Sequence, residues 1–168
     1  MERSAAVTFQ GNPLTLIGKE LELGQVIPEF TLAGNDLKPF SSSQTKGVRV
    51  FTTVPSLDTP VCDLQVKRFN KEASSLKGVS IYAISADLPF AQARWCGNAD
   101  AKSVTTLSDY KEMNFATAWG LHIKELRLIA RSVFVVDSSG KIVYKEVVKE
   151  VTQHPDYEKA LAAVKSAK

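Results

Sequence analysis

Val48-Arg49-Val50-Phe51-Thr52-Thr53-Val54-Pro55-Ser56-Leu57-Asp58-Thr59-Pro60-Val61-Cys62 is the stretch on which the reading of this chain turns. Its apolar positions Val48, Val50, Phe51 and Val54 predict a buried strand that stops at Pro55. Thr59 and Pro60 then have the chemistry of an N-cap and a first helical position. Leu64, Val66, Phe69, Ala73 and Leu76 supply the apolar stripe of the helix that follows. With Thr59 as the cap, Cys62 is the third helical residue. Unpaired backbone N–H groups and the positive end of the helix macrodipole meet in that turn, and both favour a thiolate. An ordinary free thiol is only about 3% ionised at neutral pH. The thiolate is the nucleophile, so this segment reads as a strand that delivers a reactive cysteine.

Outward from that segment, strands and helices alternate. Val7–Gln10, the turn Gly11-Asn12-Pro13 and Leu14–Ile17 predict an N-terminal β-hairpin, spanning about residues 6–17. A loop with Gly24 and Pro28 leads to an extended piece around Phe30 and Leu32. Val79–Ile84 is a strand, and Asp87-Leu88-Pro89 opens a helix expected to reach Cys96 and stop near Gly97. Val104–Leu107 is a short strand, followed by a helix from about Lys111 to Trp119. Ser132–Val136, the turn Ser138-Ser139-Gly140 and Ile142–Val148 form a second hairpin, and His154-Pro155-Asp156 opens a final amphipathic helix. Helices between strands imply parallel crossovers, whereas the late hairpin implies an antiparallel edge. The expected fold class is α/β, with a mixed central sheet flanked by helices.

A chain of 168 residues with 44% hydrophobic content suits a single domain over 1–168. The net charge of +3 is spread along the chain without a dense basic run, which argues against nucleic acid as a main partner. Met1–Val7 lacks the apolar centre of a secretory signal, and no stretch approaches the ~18 consecutive apolar residues of a membrane span. The expectation is a soluble cytoplasmic protein in a reducing compartment, where a lasting disulfide is unusual.

The chain has two cysteines, and their positions differ in kind. Cys62 lies at a helix start and Cys96 at a helix end, where the macrodipole presents negative character. Electrostatics nominates Cys62 as the attacking thiol and Cys96 as its later partner. Their separation excludes a Cys-x-x-C pair, and no histidine cluster accompanies them for zinc. A purely structural bridge between them is the bland alternative, worth about 4 kcal/mol in the chain-entropy model. Bridged cysteines need Cα atoms within about 7 Å, which two facing helix ends rarely reach, so one or both ends are expected to unwind locally when the disulfide forms.

Two motifs carry a family resemblance. Pro55-x-x-x-Thr59-x-x-Cys62 resembles the active-site motif of the peroxiredoxins. Ile84-Ser85-Ala86-Asp87-Leu88-Pro89-Phe90-Ala91-Gln92-Ala93-Arg94-Trp95-Cys96-Gly97 resembles the resolving-cysteine helix of the bacterial thiol peroxidase subgroup, of atypical two-cysteine type. The similarity extends from Phe9-Gln10-Gly11-Asn12-Pro13 to Pro155-Asp156-Tyr157-Glu158. It implies a thioredoxin-like fold, a homodimer, and reduction of hydrogen peroxide and organic or lipid hydroperoxides with electrons from thioredoxin, without a cofactor. By the same resemblance, Cys62 is the peroxidatic cysteine and Cys96 the resolving one, joined as an intramolecular Cys62–Cys96 disulfide. Thr59 holds the peroxide, Pro55 shields the site, and Arg131 stabilises the thiolate and the departing oxygen. Val54 stands where many relatives have Phe, and Pro60 where others have Gly.

The remaining candidates carry less chemistry. His154 is expected to cap the last helix, and His122 shares no ligand spacing with it. Lys67-Arg68 and Arg94 read as a solvated face, Trp95 and Trp119 as packing or interface residues, and Asp58 and Asp87 as turn and cap residues. A non-enzymatic redox-sensing module using the same cysteines is the competing function. Only sustained turnover separates it from a peroxidase.

Overall fold

The computed structural model describes residues 1–168. Strands β1 (Glu2–Phe9) and β2 (Asn12–Ile17) form the N-terminal hairpin, followed by β3 (Thr31–Ala33), β4 (Pro39–Ser41) and β5 (Val48–Thr53). Helix α1 (Pro60–Ala73), β6 (Val79–Ser85), α2 (Pro89–Ala99) and β7 (Thr105–Ser108) come next. Helix α3 (Asn114–Ala118), β8 (His122–Ile123), β9 (Leu128–Ile129), β10 (Ser132–Val136), β11 (Ile142–Val147) and α4 (Tyr157–Ser166) complete the chain. The main sheet has seven strands in the order β11-β10-β5-β6-β7-β3-β4. β5, β6 and β7 are parallel, and β10 and β11 are antiparallel. This is the expected mixed α/β sheet.

Side chains on the central strands alternate between two cores with the two-residue period of a pleated sheet. Val50, Ile81, Ala83, Val133 and Val135 face a core shared with Cys62, Val66 and Phe69 of α1, Trp95 of α2, and Ala160 and Val164 of α4. Phe51, Tyr82, Ile84, Phe134 and Val136 face the other, filled by Phe30, Phe115 and Trp119. Trp119 packs against Phe51, Phe115 and Phe134 at 4.6–5.1 Å between ring centroids. Such pairs contribute about 0.5–1.5 kcal/mol each beyond area burial. Burial on both faces explains why these strands read as nearly continuous apolar runs.

Several boundaries differ from expectation for local reasons. The hairpin turn falls at Gln10-Gly11, both in left-handed conformation (φ 48° and 81°), so β2 begins at Asn12. Helix α2 runs past Gly97 to Ala99. It ends at Asp100 (φ 50°), where the N–H groups of Asp100 and Ala101 both return to the Cys96 carbonyl. The predicted helix 111–119 shrinks to five residues, because Met113 is left-handed and the buried Asp109 carboxylate accepts from the N–H groups of Phe115 and Ala116. Burial raises the Asp109 carboxyl above its ordinary range despite those bonds.

The hairpin belongs to a second, four-stranded sheet, β1-β2-β8-β9, which the sequence patterning did not reveal. It meets the body at Gly18 and Gly120, both at positive φ (105° and 68°). A Cβ on Gly18 would collide with the Thr117 carbonyl, and one on Gly120 with that of Lys19, so only glycine allows this approach. No helix is long and apolar enough to cross a membrane.

Candidate active site

Cys62 is wholly buried in the first turn of α1, where Thr59 is the N-cap residue and Pro60 follows it. Asp63 makes the first backbone bond of the helix, to Thr59 O at 3.0 Å. The N–H groups of Val61 and Cys62 therefore precede the intrahelical ladder. Thr59 departs from expectation in one respect. Its hydroxyl does not cap the helix; it donates back to Ser56 O at 3.0 Å, within the loop between β5 and α1.

Antiparallel pairing brings Arg131 to this place. Ser132 on β10 lies opposite Thr53 on β5, so the residue just before β10 stands beside the end of β5. Thr53 reinforces the junction by donating its hydroxyl to Ala130 O at 2.6 Å. Arg131 is only 2% exposed, so its guanidinium is turned into the protein and away from solvent. Its Nη2 donates to Cys62 Sγ at 3.2 Å, Nη1 to Gln65 Oε1 at 2.7 Å and Nε to Val151 O at 2.9 Å. No carboxylate is among these partners.

Gln65 was hidden from the sequence reading by its neighbour. Leu64, placed on the apolar stripe, is 54% exposed, whereas Gln65 is wholly buried. Its amide donates to Thr52 Oγ1 at 2.6 Å and Thr53 O at 3.3 Å, leaving its oxygen for Arg131. A polar residue three positions after Cys62 and facing the same way is the signal that could have found it.

Asp87 also does more than expected. Leu88, not Asp87, is the N-cap of α2, and the Asp87 carboxylate spans to the β5–α1 loop. It accepts from Ser56 Oγ at 2.6 Å, Leu57 N–H at 2.8 Å and Ser85 Oγ at 2.7 Å. A second tie joins the two cysteine helices directly: Trp95 Nε1 donates to Asp63 Oδ1 at 2.8 Å.

Cys96 occupies the last turn of α2 and is half-buried, and both cysteines are free thiols. Its sulfur contacts Thr106 Oγ1 at 3.3 Å and Asn35 Nδ2 at 3.9 Å. Neither partner carries a charge. Arg94 points elsewhere, 3.8 Å from Asp58 in an exposed pair. Lys67 and Arg68 pair with Asp63, Glu72 and Glu158 on the surface, as a solvated face should. His154 caps nothing, because Asp156 does so through Lys159 N–H, and His154 Nδ1 meets Tyr157 OH at 2.8 Å. Burial raises the Tyr157 phenol above its ordinary range, with Arg131 and Arg68 opposing. His122 Nδ1 bonds Thr117 Oγ1 at 3.1 Å, and burial lowers its imidazole.

A cavity of about 440 Å³ opens beside Arg131. Pro55, Thr59, Pro60 and Val61 line it from the cysteine loop; Phe9, Leu126, Leu128 and Val151 come from the smaller sheet and the segment after β11. The lining is mostly apolar, with the guanidinium as its charge.

Comparison with known proteins agrees with this geometry. Residues 22–161 match the Redoxin family model. The thiol peroxidase of Bacillus subtilis is 53% identical over 96% of this chain and 98% of its own length. That of Clostridium acetobutylicum is 52% identical over 96% of this chain and 99% of its own. A peroxiredoxin-like protein from Aquifex aeolicus superposes with a TM-score of 0.90 at 38% identity, over 96% of this chain and 97% of that one. From the redoxin match and this near-full-length similarity, the chain belongs to the thiol peroxidases, a peroxidase group with the thioredoxin-like fold of the peroxiredoxins.

Proposed function

We propose that this peroxidase reduces hydroperoxides through Cys62 and completes its cycle through a Cys62–Cys96 disulfide. The observation that carries the reading is Arg131: a buried guanidinium that gives one donor to Cys62 Sγ and has no carboxylate to balance it. An unbalanced buried charge is costly, and a thiolate at Cys62 supplies the missing anion. The fork shape of guanidinium lets it serve sulfur and a peroxide oxygen together.

In the first step the Cys62 thiolate attacks one peroxide oxygen. An S–O bond forms, the O–O bond breaks, and the other oxygen leaves as alkoxide or hydroxide and takes a proton. Arg131 and the helix N–H groups face that developing charge. The Thr59 hydroxyl holds the peroxide and Pro55 keeps water from the loop. The Cys96 thiol then attacks the sulfenic sulfur, water departs, and the two sulfurs join. A thioredoxin dithiol reduces the disulfide and is itself oxidised. The apolar cavity favours organic or lipid hydroperoxides over hydrogen peroxide. The same reading takes the protein to work as a homodimer in the cytoplasm.

Cys62 is sealed in the core while Cys96 faces Thr106, so one or both helix ends unwind for the sulfurs to meet. Peptide mapping of peroxide-treated protein without reductant tests the cycle. The expected result is a joined pair of peptides holding residues 62 and 96, coupled to sustained turnover with thioredoxin and its reductase. Consumption that stops after one equivalent would point to a sensor instead.

A further inference from the structure

Glu150, in the segment after β11, is a hub that the thiol chemistry does not use. Its Oε1 accepts from Gln10 N–H at 3.0 Å, Thr152 N–H at 3.2 Å and Thr152 Oγ1 at 2.7 Å. Its Oε2 accepts from Thr8 Oγ1 at 2.7 Å and Gly11 N–H at 3.1 Å. The backbone adds two bonds at the same place, Thr8 N–H to Lys149 O at 2.7 Å and Val151 N–H to Thr8 O at 2.9 Å. One carboxylate thus pins the left-handed Gln10-Gly11 turn to the segment that holds Arg131 through Val151 O.

Phe9 stands between these anchors. It is 40% exposed, and its ring lines the cavity together with Val151 and Thr152. A phenylalanine that is not buried in a core keeps a fixed place only if its backbone is held, and Glu150 holds it from both sides. Hydrogen peroxide has no substituent to touch that ring, whereas an alkyl or aryl hydroperoxide does.

We propose that Glu150 is a positioning residue for substrate choice: it fixes Phe9 as a wall of the cavity and so favours hydroperoxides that carry a hydrocarbon group. The inference rests on the cavity being the hydroperoxide site. Its readout is the ratio of kcat/KM for cumene hydroperoxide to that for hydrogen peroxide, measured in thioredoxin-coupled turnover. A general structural defect lowers both rates alike and leaves the ratio in place.

Phe9→Ala is expected to lower the ratio about tenfold, mainly through KM for the cumene substrate, as lost apolar pocket contacts do. Glu150→Ala should fall by a similar factor. Glu150→Gln should lie between, because an amide oxygen keeps some of the acceptor bonds. Combining Phe9→Ala with either Glu150 variant should give no further fall, since the two act through one wall. The Glu150→Gln cycle gives the same answer if Glu150→Ala does not fold. A wild-type ratio in the Glu150 variants, or losses that multiply in the double variants, overturns the proposal alone. Failure of the wild type to reduce either peroxide overturns the reading of the cavity and this inference with it.

Discussion

The two thiols sit at opposite ends of helices in the same face of the fold, and their surroundings are opposites too. Cys62 is wholly buried in a first turn, with a guanidinium 3.2 Å from its sulfur. Cys96 is half-buried in a last turn, with a hydroxyl and an amide for neighbours. One sulfur has a cation beside it, and the other has only uncharged partners. Burial and electrostatics therefore set the two sulfurs apart before any substrate binds: one is sealed beside a guanidinium, and the other lies half-buried among uncharged groups.

The sharpest way to break this comparison is to remove each sulfur. Cys62→Ser should abolish peroxide reduction altogether. Cys96→Ser should still consume a single equivalent and then stall or over-oxidise, read by peroxide consumption against enzyme concentration. Arg131→Lys keeps a charge but loses the fork that reaches Cys62, Gln65 and Val151 at once. Loss of one such preorganised donor predicts a rate of reaction with peroxide lower by about 10²-fold, measured by stopped flow. An unchanged rate would make Arg131 a packing residue.

Smaller effects test the link between the two regions. The Trp95–Asp63 bond ties the first turn of α1 to the last turn of α2, and it must give way if both helix ends open. Trp95→Phe removes a bond worth about 1 kcal/mol, so disulfide formation after oxidation should speed up about fivefold. Slower formation would mean the indole guides the closing motion.

The smallest effect lies at the hairpin. Gly11 N–H, then the Thr8 and Thr152 hydroxyls, push the Glu150 carboxyl down to about 2 from its ordinary 4.5. A depressed folded-state value stabilises above the unfolded one and is lost as pH falls through the folded one. The difference in Tm between wild type and Glu150→Gln should therefore be constant above pH 4.5 and shrink between there and about pH 2.

Much of the fold was legible because both faces of β5, β6 and β10 are buried, which leaves long apolar runs, and because Pro55, Thr59 and Pro60 punctuate the chain between strand and helix. The Cys62 position was legible for the same reason. Gln65 was not, because helical periodicity tolerates either Leu64 or Gln65 on the inner face, and only the contact with Arg131 and Thr52 decides it. Strands β8 and β9 have two residues each, too short for any period, and exist because β2 offers an edge to β8 and β8 offers one to β9. Asp87 reads as a cap by composition, yet the Ser56–Leu57 loop claims its carboxylate. Long-range polar partners leave little local trace: for Gln65, only its spacing from Cys62.

The division between the two thiols is tested most directly by locating the sulfenic acid. Wild type, Cys96→Ser and Cys62→Ser would each be mixed with a single equivalent of peroxide, trapped with a dimedone-type probe and mapped by mass spectrometry. The expected adduct is on residue 62, abundant in Cys96→Ser and absent from Cys62→Ser. An adduct on residue 96 that forms as fast without Cys62 as with it would contradict the account.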